Sequence, residues 1–327
     1  MKKNLTIILA ILFICFYQTL FGQQDPQFTQ FYANPLYQSP SFAGAVEGYR
    51  ASLNYRDQWP KMPGKLVTAS FAFDVNVSPL NSGLGVILIT DRIGSASLSS
   101  LTAGISYSYN VKINRKTYFR PGVSFSYIQR SIDYNKMIFS SELETGGVKP
   151  VLGSEFRDVQ NFDGSISGLL ISHNMWVGIT VDHLTSPNIS FTDLEQRLPV
   201  KYTLFGGYRI YKVERLLSTK RQHITIAGTY RHQGKSDQLD LGLYWSYSPL
   251  ILGVWYRDLP FIKKYSRRDA IALFAGVKYE GLSVGYSYDF TVSRLITNTG
   301  GSHEISLIYK FEIEYKKKFK PIPCPSL

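Results

Sequence analysis

Two cysteines stand among the 327 residues, Cys15 and Cys324. If the apolar start of the chain is removed on export, Cys324 is left as a free thiol or an intermolecular bridge. Beyond residue 22 no apolar run reaches the roughly 18 residues that a transmembrane helix needs. Fixed-period repeats, heptads and low-complexity linkers are also missing, which excludes solenoids and coiled coils. The histidines His173, His183, His223, His232 and His303 make no H-x-x-x-H or H-E-x-x-H pair, so a metal would need ligands gathered from separate segments. Gly83-Leu84-Gly85 opens a strand pattern and is too short to cradle phosphate. His303-Glu304 could tempt a hydrolase reading, but serine is so frequent here that a Ser–His–acid coincidence carries no weight. These gaps leave a chain with no catalytic residues, no metal site and no cofactor site.

What is present begins with a leader. Lys2 and Lys3 precede an apolar stretch from Leu5 to Phe21, and Gly22 precedes the polar run Gln23-Gln24-Asp25-Pro26. That plan is a secretory signal peptide over 1–22, cleaved near Gly22. A membrane anchor is the rival, disfavoured because no basic stop-transfer flank follows. Aromatic residues make up 14% of the chain, with 23 Tyr and 20 Phe, while mean hydropathy is only −0.09. An exported chain this aromatic and this polar suits a membrane β-barrel, in which one face of each strand meets lipid.

The pattern supports that class. In 281–290, Leu282, Val284, Tyr286, Tyr288 and Phe290 alternate with Ser283, Gly285, Ser287 and Asp289. Leu101–Lys112 and Phe119–Tyr127 repeat the alternation. Period 2 with one greasy face and one small or polar face describes a strand between lipid and a wet lumen. About 14 such runs are expected, near 49–57, 66–75, 83–92, 98–111, 117–130, 164–173, 175–183, 201–212, 222–233, 237–247, 250–258, 269–279, 281–291 and 302–312. The fold class is therefore all-β: a transmembrane up-and-down antiparallel barrel with an N-terminal plug or cap. Short links such as Ser248-Pro249 and Glu280-Gly281 alternate with long ones at 58–65, 131–163, 184–200, 259–268 and 292–301. This asymmetry assigns the short turns, and both barrel termini, to the periplasm. The links near 213–221 and 234–236 break the rule.

Two appendages flank the barrel region 49–312. Residues 23–48 carry Pro26, Pro35 and Pro40 and are too Pro-rich for a strand, so they are expected to form a periplasmic cap or a lumen plug. Residues 313–327 form a basic Pro-rich tail, with Lys316, Lys317, Lys318, Lys320 and Cys324 as candidate partner contacts in the periplasm. The formal charge of +12 falls to +10 without Lys2 and Lys3. Export argues against nucleic acid, so lipopolysaccharide, peptidoglycan or an acidic partner is the better match. Arg56, Arg92, Arg120, Arg209, Arg231, Arg257 and Lys278 fall on expected strands, with Asp74, Asp182, Asp240, Asp258 and Asp289. Facing lipid, an Arg or Lys would cost roughly 2–4 kcal/mol, so these groups should face the lumen or the interfaces.

Several stretches carry a resemblance. Asp25-Pro26-Gln27-Phe28-Thr29-Gln30-Phe31 is followed by Asn34-Pro35-Leu36-Tyr37, Ser39-Pro40-Ser41-Phe42-Ala43-Gly44 and Tyr55-Arg56-Asp57-Gln58-Trp59. Later come Asp91-Arg92-Ile93-Gly94, Gly285-Tyr286-Ser287-Tyr288-Asp289 and Gly301-Ser302-His303-Glu304-Ile305. In this order the chain resembles the PorP/SprF family of the type IX secretion system from about residue 24 to 312. The resemblance implies an outer-membrane barrel that serves protein export in Gram-negative bacteria, some of which glide. It implies partners: outer-membrane lipid, other type IX components, and a secreted substrate, often an adhesin, with a C-terminal secretion domain. A periplasmic lipoprotein or peptidoglycan is a further candidate. It also implies a strand number and plug like those of fatty-acid-channel barrels. A passive channel for small or lipidic solutes is the alternative. The basic tail with Cys324 departs from the family, which usually stops near its last strand.

Overall fold

The computed structural model describes residues 25–62, 64–94, 98–133, 158–191, 195–214, 221–258, 270–291 and 299–311. The expected leader 1–22, the tail 313–327 with its lysines and Cys324, and most of the links 131–163, 259–268 and 292–301 lie outside them.

The strands are β1 (Tyr49–Gln58), β2 (Leu66–Val77), β3 (Ser82–Ile93), β4 (Leu98–Tyr109), β5 (Val111–Lys112), β6 (Tyr118–Ser131), β7 (Val159–Ile171) and β8 (Met175–Asp182), followed by β9 (Lys201–Glu214), β10 (Arg221–Gln233), β11 (Ser236–Tyr247), β12 (Leu250–Asp258), β13 (Ala270–Tyr279), β14 (Leu282–Thr291) and β15 (Ser302–Phe311). Neighbours pair antiparallel throughout, β15 returns to β1, and β4 pairs with β6, so the sheet closes. Fourteen strands form the ring, and the two-residue β5 prolongs the β4–β6 pairing. Closure leaves no edge strand in the sheet, which is what a spanning sheet requires.

Alternation sets the faces. On β13, Ile271, Leu273 and Val277 are exposed while Ala270, Ala272 and Phe274 are buried. The outer surface is a band of Leu, Ile, Val and Phe, with Tyr49, Tyr107, Tyr109, Tyr279 and Tyr309 near one rim. That is the arrangement of a lipid band with an aromatic girdle. Short turns gather at this rim: 78–81, 172–174, Ser248-Pro249 and Glu280-Gly281. Asn81 and Glu280 take left-handed backbone there, as tight reversals demand. Of the two irregular links, Gly234-Lys235 is a short turn at the loop rim, and 215–220 lies outside the described residues. The run expected at 164–173 starts five residues earlier, at Val159, because β6 pairs with it all the way to Arg130.

The lumen differs from the wet interior that the strand pattern suggests. Residues 25–48 run through it from the loop rim to the turn rim, where β1 begins. A 3-10 turn (Phe31–Ala33), one helical turn (Pro35–Gln38) and a second 3-10 turn (Pro40–Phe42) build this segment. Pro35 and Pro40 sit at first turn positions, where a missing N–H costs nothing. Phe31, Tyr32 and Phe42 pack on an inward cluster that includes Trp176, Phe205, Tyr244, Trp255 and Phe274. Phe31 and Trp255 meet edge to face with centroids 4.7 Å apart. One side of the lumen is thus a packed aromatic core. It went unexpected because glycine neighbours give these strands their small-residue look: a Cβ at Gly242 would fall 2.1 Å from the Trp255 ring.

Candidate functional site

The residues that make up the N-terminal motif and the end motif meet in the lumen. Glu304, on β15, accepts hydrogen bonds from the backbone N–H of Thr29 at 2.7 Å and of Gln30 at 2.9 Å. Arg56, directly across the ladder on β1, donates to Glu304 at 3.1 Å, to Asp289 at 2.6 Å and to the Thr29 hydroxyl at 2.7 Å. Gln30 donates to the Glu304 carbonyl at 3.0 Å and accepts from the Ser306 hydroxyl at 2.5 Å. Arg56 and Glu304 are 2% and 0% exposed, so water cannot replace a lost partner. The network continues through Arg257, which lies 3.6 Å from Asp289 and donates to Asp240, and Arg231 donates to Asp240 at 2.6 Å. Three arginines therefore face three carboxylates here, and the plug backbone supplies the remaining donors.

A second anchor holds Asp25, at the loop-rim end of the plug. Asp25 accepts from Lys201 at 2.7 Å and faces His183 Nε2 at 2.9 Å, while His183 Nδ1 faces Asp163 at 2.6 Å. Burial works against the charge on both Asp25 and His183. His183 and Lys201 nevertheless hold the Asp25 carboxyl well below the usual carboxylate range. Asp25 and Asp163 raise His183 to about 9. With a carboxylate on each ring nitrogen, the imidazolium form is favoured and neither nitrogen is free for a metal.

A third anchor grips the turn-rim end of the plug. Arg50 donates to Asp74 at 2.8 and 3.1 Å, Asp74 accepts the Gly44 N–H at 2.9 Å, and Arg120 donates to the Ser41 carbonyl at 3.0 Å. Here the plug backbone lies on the barrel wall itself. A Cβ at Gly83 would sit 2.0 Å from the Ala43 carbonyl oxygen, and one at Gly122 would sit 2.4 Å from the Ser41 nitrogen. Gly44 itself has φ +59°.

The structure separates the motif residues by face. Asp25, Gln27, Phe28, Asn34, Pro35, Arg56, Gln58, Ser302 and Glu304 belong to the plug or the lumen. Gln27 donates to Gln238, Phe28 packs on Tyr37, Asn34 donates to Ser70, and Gln58 accepts from Arg56. Pro26 offers its carbonyl to the Tyr37 hydroxyl. Tyr55 and His303 face outward instead, His303 against the Tyr286 hydroxyl at 2.8 Å. Trp59 stands in the loop after β1, with its N–H on the Gly301 carbonyl. Of the strand charges, Arg56, Arg120, Arg231, Arg257, Asp74, Asp240 and Asp289 line the lumen, and Arg92 is exposed on the outer face at the loop-rim end of β3. The Asp258 side chain is outside the described set. Sequence reasoning passed over Arg50, Asp163 and Lys201; their inward phase on β1, β7 and β9 was the available signal.

Residues 20–309 match the family model described as type IX secretion system membrane protein PorP/SprF. The chain belongs to this PorP/SprF family. Its family and fold are those of a secretion component and outer-membrane barrel, not of an enzyme class. No curated protein matches it. Among solved structures, the CymD monoaromatic hydrocarbon channel is similar at 12% identity and TM-score 0.52, over 86% of this chain and 94% of that one. The P. putida toluene transporter TodX is similar at 12% identity and TM-score 0.48, over 84% and 93%. The Acinetobacter baumannii outer membrane protein Omp33 is similar at 9% identity and TM-score 0.44, over 82% and 100%. At such identity the likeness to CymD bears on the fold of this PorP/SprF chain, a plugged outer-membrane barrel.

Proposed function

We propose that this barrel assists the secretion or surface attachment of one cognate type IX substrate, such as an adhesin, by docking it at the loop rim without catalysing a reaction. One observation carries the reading: the family-motif residues that face the lumen, Arg56 and Glu304 foremost, spend their polar groups on locking the plug. A plugged barrel offers partners its rims. At the loop rim Asn188 and Arg197 form an antiparallel bridge, and the Asn161 side chain donates to the Asn188 carbonyl. At the other rim, the tail with Lys316, Lys317, Lys318, Lys320 and Cys324 is proposed to contact a periplasmic partner, a lipoprotein or peptidoglycan. The leader 1–22 is proposed to be cleaved on export, and 23–48 to act as the plug.

Deleting the gene and quantifying the surface level of its cognate adhesin tests the docking role. The proposal expects the adhesin to be lost from the surface or released to the medium. Normal display without the barrel would rule the role out. The second reading, a passive channel, is favoured by a cavity that the plug leaves open beside β3, β4 and β6. Solute conductance through the wild-type barrel separates the two.

A further inference from the structure

The plug does not fill the lumen evenly. Between it and strands β3, β4, β6 and β7 lies a cavity of about 140 Å³. The strand register writes its wall as rungs. Asp91, Ser100 and Arg130 stand side by side across β3, β4 and β6. The rung beneath is Ile89, Thr102 and Ile128, and the next is Ile87, Gly104 and Ser126. All nine line the cavity. The absent Cβ at Gly104, which would meet Ile87 at 3.1 Å, helps keep the hollow open.

Arg120 is held by the Ser41 and Ala43 carbonyls and the Ser108 hydroxyl, while the lumen arginines Arg50, Arg56, Arg231 and Arg257 each pair with a carboxylate. Arg130 has none within 4.0 Å among the described residues; it donates at 3.5 Å to the Ile189 carbonyl and lies over the Phe191 ring at 5.7 Å. Asp91 is 6% exposed, accepts from the Thr68 hydroxyl, and has no cation within 4.0 Å among the described residues. The other ionised groups around the cavity are matched to one another, Asp25 and Asp163 with His183, and Asp182 with Lys201. One anion and one cation therefore face a shared space, two strands apart, or roughly 9–10 Å between backbones at sheet spacing. Asp91 is buried and Arg130 part-buried, and they act on each other only across the cavity, so a ligand carrying both opposite charges would give each a contact partner.

We propose that this cavity binds a small zwitterion with an apolar side chain, of the neutral α-amino-acid class. Its carboxylate pairs with Arg130, its ammonium group with Asp91, and its side chain rests on the Ile89–Ile128 rung below. The size agrees: an apolar cavity of roughly 150 Å³ takes up a benzene-sized body. The site stands independently of the docking role, since neither cargo nor any docked partner takes part in it.

Calorimetric titration of the full-length barrel in detergent with L-leucine tests this. The wild type is expected to bind leucine. It should bind 4-methylpentanoate, which lacks the ammonium group, and 3-methylbutylamine, which lacks the carboxylate, at least tenfold more weakly. Arg130→Gln and Asp91→Asn should each weaken leucine binding at least tenfold, and Asp91→Asn should erase the preference over 4-methylpentanoate. Ile128→Trp should abolish binding by filling the space while leaving both charges in place. No binding at millimolar leucine, or equal binding of either single-charge analogue by the wild type, overturns the proposal and leaves a water-bridged ion pair in its place. The analogue series needs no variant, so a variant that fails to fold does not affect the outcome.

Discussion

Arg56 illustrates how much one side chain can hold. It touches two carboxylates and a plug hydroxyl with almost no exposure. Removing one partner of a buried ion pair typically costs about 3–5 kcal/mol, because the charge left behind cannot reach water. Arg56→Ala is therefore expected to free residues 25–30 while the strands persist, seen as proteolysis of the plug with unchanged β-sheet circular dichroism. An equally protected plug would count against the assignment. At the loop rim, the His183–Asp25 contact carries a pH signature. The folded His183 value of about 9 lies above its ordinary 6.5, so its contribution is complete below 6.5 and is lost as pH rises through about 9. The Asp25 value is depressed, so its contribution is present above the ordinary 3.8 and is lost only as pH falls below it. Amide protection at Gln27 and Phe28, taken relative to the free-peptide exchange rate at each pH, should fall between pH 8 and pH 10 in the wild type, and His183→Gln should remove that step. Arg56 and Glu304 were visible as parts of motifs. Their contact was not, because 248 residues separate them and only barrel closure makes β1 and β15 neighbours.

At the scale of elements, strands and plug differ in how far the sequence reveals them. Each strand repeats one decision, lipid or lumen, every second residue, so β1, β4 and β12 begin at the residues the alternation predicts. The plug has no period. Its turns are set by Pro35 and Pro40, and its path by glycines on distant strands that admit its backbone. The composition of 25–48 could exclude a strand, but it could not choose between cap and plug. Those glycines make the path testable. Gly122→Val would drive a side chain into the Ser41 backbone, with nothing flexible to move aside. The expected result is a barrel that still migrates as a heat-modifiable band but exposes residues 39–44 to cross-linkers. Unaltered protection would mean the plug lies elsewhere. The aromatic lumen core escaped notice for a related reason. Trp255 and Tyr244 lean over Gly242 and Gly253, and single-strand patterns cannot show a ring covering a neighbour's glycine.

The whole molecule joins two separable structures, a closed sheet that satisfies its own amides in lipid and a threaded segment that fills most of its bore. The first accounts for residence in the outer membrane, and the second occupies the path through it. Three clamps hold the segment, those around Asp25 and Arg56 toward the loop rim and that around Arg120 at the turn rim. Docking partners at the rims follows naturally from such a body, whereas conduction requires the segment to leave or to yield. Single-channel recording in planar bilayers tests this most directly. The wild-type barrel should show no sustained open state, and a double Arg56→Ala, Glu304→Ala variant should show long openings as the segment is released. Stable, high conductance from the wild type would contradict the closed lumen, and with it the reading of the protein as a plugged barrel that works through its rims.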